Sequence, residues 1–174
     1  AGYFPREELA SLRKLGSPLQ GHPDRRRMPA LEASTGSLGQ GLSIASGIAL
    51  AGKMDRKSSW IYCLLSDGEL QEGQSWEAAG FAGFHLLDHL IAVVDYKKFQ
   101  LDGAVREIID LEPLASKWES FRWHVQEIDG HNISQIAQSI QKAKAVKEKP
   151  HVIVAHTVKG KGVSFMEHNN YFHG

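Results

Sequence analysis

The sequence predicts an α/β fold, a mostly parallel sheet with helices on both faces. Apolar runs of strand length alternate along the chain with segments whose apolar residues recur at helical spacing, a pattern typical of strand–helix–strand units. Two of the predicted strands end in segments rich in Asp and Gly. With 174 residues, 42% of them apolar, the chain can build one core, so we treat residues 1–174 as a single domain.

The central feature is the turn after the apolar run 60–65, which predicts a strand buried on both faces. Asp67 and Gly68 form this turn, and the residues beyond it have helical spacing. Ser66 and Glu69 have the spacing of a capping box at the helix start. Because a strand that turns into a helix gathers free backbone N–H groups, the sequence predicts a phosphate site here.

The next predicted strand, residues 90–95, leads to a second polar stretch, residues 97–103. Neighbouring parallel strands end at one edge of a sheet, so we expect the two polar stretches to face one ligand. The first helix is expected to carry Leu9, Leu12 and Leu15 on its apolar face. The same periodicity predicts helices over 5–15, 42–54, 113–121 and 133–146, and strands over 123–128 and 151–158.

A glycine-rich segment precedes the predicted helix 42–54. Ser37 and Gln40 have capping-box spacing, and three nearby glycines allow a backbone to approach a ligand or a helix closely. From spacing alone, close helix packing is the favoured use of these glycines.

Composition narrows the function classes. The formal net charge is zero, from 20 basic and 20 acidic residues, which argues against a nucleic acid or membrane partner. The run Arg25-Arg26-Arg27 is interpreted as a solvated face and not as a phosphate clamp. Cys63 is the single cysteine, so no internal disulfide is possible and a reducing cytoplasm is favoured. Because it lies in a predicted strand, Cys63 is expected to be a buried thiol.

The central motif extends over residues 66–79, Val94-Asp95 and residues 100–103. Together these stretches resemble the thiamine diphosphate motif of transketolases, and the resemblance covers nearly all of the chain. It implies the thiamine-diphosphate-binding fold and transfer of a two-carbon ketol unit between sugar-like substrates. The sequence departs from the family at Ser66, where a glycine is usual, and at Lys97, where a metal-binding Asn is usual.

The resemblance also implies cofactor contacts in the glycine-rich segment, with Gly36 and Leu38 lying on the thiamine. Asp67 and Gly68 match the diphosphate turn. With a divalent ion bound, the family would use Asp67 and the carbonyl of Phe99 as metal ligands.

Three catalytic candidates follow from the same resemblance. His22 and His173 match histidines that the family places near the reacting carbon and the diphosphate. Taken singly, each is expected at the surface, but two motif matches favour catalysis. Glu72 matches a carboxylate network that crosses the subunit interface toward the partner's catalytic glutamate.

Lys97 leaves two arrangements open, because an ammonium has only donors and does not coordinate a cation. In one, Lys97 takes the place of Mg²⁺, pairs with Asp67 and binds the diphosphate directly. In the other, Lys97 turns to solvent and the site is weakened or lost.

Compared with the family, the chain is expected to lack an N-terminal segment and the pyrimidine-binding and C-terminal domains. The leading hypothesis is therefore the diphosphate-binding subunit of a split transketolase, completed by a separate chain in a heterotetramer. The alternative is a non-catalytic or regulatory homologue that has lost metal-dependent cofactor binding. A nucleotide-binding α/β protein is less favoured, because no glycine-rich nucleotide motif follows the first predicted strand.

Overall fold

The computed structural model describes residues 2–173. Its α-helices are α1 (Gln40–Met54), α2 (Gly73–Phe84), α3 (Val105–Ile108), α4 (Leu114–Ser120) and α5 (Ile133–Ala145). Its strands are β1 (Ile61–Ser66), β2 (Leu90–Tyr96), β3 (Phe99–Gln100), β4 (Gly103–Ala104), β5 (His124–Asp129) and β6 (His151–His156). Short 3-10 turns lie at Arg6–Ser11, Gly68–Gln71 and Asn170–Phe172. Among the described residues, no helix is long and apolar enough to cross a membrane.

Four parallel strands form the main sheet in the order β1-β2-β6-β5, and β3 and β4 form a separate antiparallel pair. The larger core cluster packs α1, α2 and α4 against the sheet, and Leu65, Val94 and Trp118 are fully buried in it. A smaller cluster packs Ala143 of α5 against Ile153. The predicted α/β fold, with helices on both faces of a mostly parallel sheet, is thus confirmed.

Two local predictions are wrong. β1 is not buried on both faces, because on the face opposite Cys63 and Leu65 the residues Tyr62 and Leu64 remain 50% and 75% exposed. The first helix is a 3-10 turn that ends at Ser11, because Arg13 takes a positive φ of 63° and its N–H donates to Leu19. The leucines predicted on its apolar face are exposed: Leu9, Leu12 and Leu15.

Candidate functional site

The capping box predicted at the central turn is present. The N–H of Glu69 donates to Oγ of Ser66 at 3.3 Å, and the N–H of Ser66 donates to Oε2 of Glu69 at 3.3 Å. The turn it closes is the 3-10 turn Gly68–Gln71, and α2 begins only at Gly73. The other oxygen of Glu69 accepts from the N–H of Gly39 at 2.8 Å, which ties the glycine-rich segment to the turn.

Asp67 is the buried centre of this turn, with no exposed surface. Its Oδ1 accepts from the N–H of Gly68 at 2.8 Å and from Nζ of Lys97 at 3.0 Å. Its Oδ2 accepts from the N–H of Lys98. A buried carboxylate requires such donors. Because Lys97 and Lys98 follow β2, Asp67 joins the ends of β1 and β2, as expected from parallel pairing.

Lys97 lies between two carboxylates. Its Nζ is 3.0 Å from Oδ1 of Asp67 and 3.6 Å from Oδ2 of Asp95, and its side chain is only 14% exposed. Oδ1 of Asp95 accepts in turn from the hydroxyl of Thr157 at 2.5 Å. The structure thus shows the pairing of Lys97 with Asp67 that the first of the two arrangements requires.

His173 joins this edge through Lys159, whose Nζ lies 3.4 Å from Nδ1 of the ring. Partial burial and the positive charges of Lys159 and Lys97 lower the pKa of His173, against the opposing charge of Asp102. The neutral imidazole is therefore favoured near pH 7.

Sequence reasoning missed Lys159 and Thr157 as members of the site, and it placed Asp95 in the motif without giving it a role. The signal for them was their position. Asp95 lies near the end of β2, and the other two follow β6, so all three reach the edge where Asp67 lies.

Two glycines before α1 allow side chains to approach the backbone. A Cβ on Gly36, which has a φ of 132°, would lie 2.5 Å from Nδ1 of His22, so that ring packs directly on Gly36. Gly39 has a φ of 83°, and a Cβ there would lie 2.9 Å from Cβ of Glu72. Gly39, at the N-cap of α1, thus approaches Glu72 and Gln74 at the start of α2, as expected for close helix packing. Gly36 does not serve that packing, because the side chain that it contacts belongs to the loop residue His22.

The predicted cap on α1 is also wrong. Gly39 occupies the N-cap position without a side-chain hydrogen bond, and Nε2 of Gln40 donates to Oγ of Ser37 at 3.1 Å. Leu38 stands on this segment with 54% of its side chain exposed. It is therefore free on one side to contact a ligand or another chain.

An anionic cofactor fits the carboxyl edge of the sheet, because Lys97, Lys159 and His173 gather there. A divalent ion fits poorly. Both carboxylate oxygens of Asp67 already accept hydrogen bonds, and the ammonium of Lys97 lies on Oδ1, where an ion would bind. Phe99, the other expected ligand, lies in β3, with its ring 6.0 Å from that of His168.

Two side features match their predictions. Burial raises the pKa of the Cys63 thiol to about 12, helped by the charge of Glu69, so this cysteine is inert.

Arg26 pairs with Asp24 at 3.1 Å while 90% of its side chain stays exposed, as in a solvated face.

These features define an α/β protein that gathers cations, a buried carboxylate and glycine turns at the carboxyl edge of a parallel sheet, where diphosphate cofactors bind. The family model described as "Transketolase, thiamine diphosphate binding domain" matches residues 2–174. The chain belongs to the transketolase family.

Several relatives are similar to it. The 6-deoxy-6-sulfo-D-fructose transketolase subunit SqwG of Clostridium sp. (strain MSTE9) is 52% identical over 166 residues, which is 95% of this chain and 60% of the relative. An apulose-4-phosphate transketolase subunit of Actinobacillus succinogenes is 40% identical, over 99% of this chain and 62% of its own length. The chain thus spans about three fifths of these relatives.

A solved structure agrees in fold. The transketolase crystal structure from Campylobacter jejuni subsp. jejuni NCTC 11168 superposes with a TM-score of 0.89 at 34% identity, covering 95% of this chain and 27% of that one.

Proposed function

We propose that the chain is the diphosphate-binding part of a split transketolase-like transferase that moves a two-carbon ketol unit between sugar or sugar-like substrates. The observation that carries this is the edge where buried Asp67 meets Lys97, with His173 and Lys159 beside it. A separate chain would supply the pyrimidine-binding and C-terminal domains in a cytoplasmic heterotetramer. The word "subunit" in the names of two relatives supports a separate partner.

The proposed substrates are sugars that carry an anionic group. The names of the two relatives contain 6-deoxy-6-sulfo-D-fructose and apulose-4-phosphate, a sulfonated and a phosphorylated sugar. Lys97, Lys159 and the nearby Lys98 are the cations that would face an anionic cofactor and an anionic substrate in one cleft, although Asp67 and Asp95 offset part of their charge.

The cofactor proposed is thiamine diphosphate, which supplies the nucleophilic carbon that carries the two-carbon unit. Lys97 would hold the diphosphate in place of Mg²⁺, because its ammonium already sits on Asp67 and makes charge-assisted hydrogen bonds without oxygen ligands of its own. Gly68 would let the diphosphate approach the turn. Gly36 and Leu38 would contact the thiamine.

The proposed catalytic residues act on the substrate and the interface. His22, held against Gly36, would donate or accept a proton near the reacting carbon. His173, neutral beside Lys159, would do so near the diphosphate. Glu72, which packs against Gly39, would extend a carboxylate network toward the partner chain.

The decisive experiment is purification with the candidate partner, followed by calorimetric titration of thiamine diphosphate with magnesium and with a chelator, and an assay of ketol transfer. We expect binding and turnover in both conditions. Electron density for a six-coordinate ion at Asp67, with Lys97 turned to solvent, would overturn the metal-free site.

A second candidate is the non-catalytic or regulatory homologue. One observation favours it: Asp67 is fully satisfied by protein donors, so the turn is stable without a cofactor. In that case the assembled complex would form but would not bind thiamine diphosphate in either titration.

A further inference from the structure

The segment that follows β6, residues 157–159, makes two contacts with the candidate site. The hydroxyl of Thr157 donates to Oδ1 of Asp95 at 2.5 Å, and Nζ of Lys159 lies 3.4 Å from Nδ1 of His173. Small shifts of this segment would therefore move two contacts at once.

The N–H of Val158, the residue between them, is bound by one side chain. Its neighbours have backbone hydrogen bonds of their own: the N–H of Thr157 donates to the carbonyl of Tyr96 at 3.2 Å, and the carbonyl of Lys159 accepts from the N–H of His168 at 3.1 Å. The ladder of β5 and β6 ends where Asp129 pairs with His156, so the N–H of Val158 lies beyond the sheet. It donates instead to Nε2 of His131 at 2.8 Å. In this contact Nε2 is the acceptor, so Nδ1 is the nitrogen of the ring that remains to act as a donor.

The loop that carries His131 is itself fixed. The N–H of His131 donates to Oδ1 of Asp129 at 2.9 Å, and the N–H of Gly130 donates to the carbonyl of His156 at 2.8 Å. A Cβ on Gly130 would lie 2.5 Å from Cγ2 of Thr157, so the loop packs tightly on the segment. These contacts fix the position of the loop and therefore of the His131 imidazole.

We infer that His131 is a positioning residue. It accepts the hydrogen bond from the N–H of Val158 where the sheet ends. It thereby positions Thr157 to contact Asp95 and Lys159 to contact His173. This role rests on the proposed function, since the contacts it sets are those of the cofactor edge. His131 lies just beyond the end of β5, outside the set that touches the cofactor edge directly.

The test compares the protein with His131→Ala, His131→Gln and the control His156→Ala. His156 is in the adjoining strand, and its Nε2 contacts Glu127 at 2.8 Å, so the control also removes an exposed histidine contact. Hydrogen exchange of peptides covering residues 157–159 and NMR titration of His173 are measured without cofactor. The kcat and KM of the assembled enzyme are measured separately.

In His131→Ala, we expect exchange of the Val158 amide to rise roughly five- to tenfold, the effect of losing one hydrogen bond. The pKa of His173 should move up toward its ordinary value as Lys159 leaves, while Lys97 and Asp102 stay in place. Turnover should fall with little change in Tm. His131→Gln, whose amide oxygen accepts a hydrogen bond, should retain most of both properties, and His156→Ala should resemble the parent.

Unchanged exchange or an unchanged pKa of His173 in His131→Ala would overturn the positioning role, as would equal losses in the Ala and Gln variants. If both cofactor-free measurements change as expected but the parent complex shows no ketol transfer, the proposed function fails and the positioning role stands.

Discussion

The ammonium of Lys97 lies 3.0 Å from Oδ1 of Asp67, a carboxylate with no exposed surface. A charge buried in this way needs a partner, and here the partner is a side chain at the end of the neighbouring strand. Lys97 is therefore expected both to stabilise this edge of the sheet and to bind the anionic diphosphate.

Replacing Lys97 tests that link. In Lys97→Met, the carboxylate of Asp67 keeps its backbone donors but loses its counter-charge, so we expect the free energy of unfolding to fall by about 3 kcal/mol and thiamine diphosphate binding to be lost. Lys98→Met is the matched control for stability, because it removes an adjacent ammonium but keeps the backbone N–H that Asp67 uses. Urea denaturation and calorimetry provide the measurements, and a normal stability in Lys97→Met would contradict the buried pair.

The metal dependence should reverse when an oxygen ligand is restored. The parent complex is expected to keep its activity in a chelator, whereas Lys97→Asn should require Mg²⁺, because an amide oxygen can coordinate the ion and an ammonium does not. Activity is titrated against added Mg²⁺ for both proteins. Loss of parent activity in the chelator would count against Lys97 as the substitute for the ion.

His22 and His173 are expected to act on the substrate and not on folding. Both lie in loops, so His22→Ala and His173→Ala should lower kcat about a hundredfold or more, the lower end of the contribution of acid–base catalysis, with nearly unchanged Tm. Thermal melts and initial rates test both variants. A loss of several kcal/mol of stability, as expected for a buried core group, would contradict the assignment.

His151 predicts the acid sensitivity of the fold. It is fully buried, its Nε2 contacts the carbonyl of Asp88 at 3.1 Å, and burial together with the adjacent His124 lowers its pKa to about 4. The unfolded chain, with a histidine pKa of about 6.5, binds this proton first as the pH falls. Stability should therefore be full above pH 6.5 and decline toward pH 4, losing about 2 kcal/mol between pH 7 and pH 5.

Urea titrations at the two pH values measure this loss. The variant His151→Leu removes the titrating group and should flatten the dependence, although it leaves the ring of His124 in place. An equal pH dependence in parent and variant would show that other groups dominate.

Elements set by local patterns were predictable. The capping box of Ser66 and Glu69 formed as its spacing indicated, because both partners lie within one turn. The exposed face of β1 was not predictable, since an apolar run carries no information on whether another element covers that face of the strand. Lys159 and Thr157 were missed for a related reason: they reach His173 and Asp95 only after strands distant in the chain have paired.

The pair of Asp67 and Lys97 also has a consequence for folding when Mg²⁺ or thiamine is in short supply. Because the counter-ion of the carboxylate is part of the polypeptide, we expect this edge to fold without Mg²⁺ and without the cofactor. Cells starved of thiamine would then accumulate folded chain, and restoring the vitamin should raise activity without new protein synthesis.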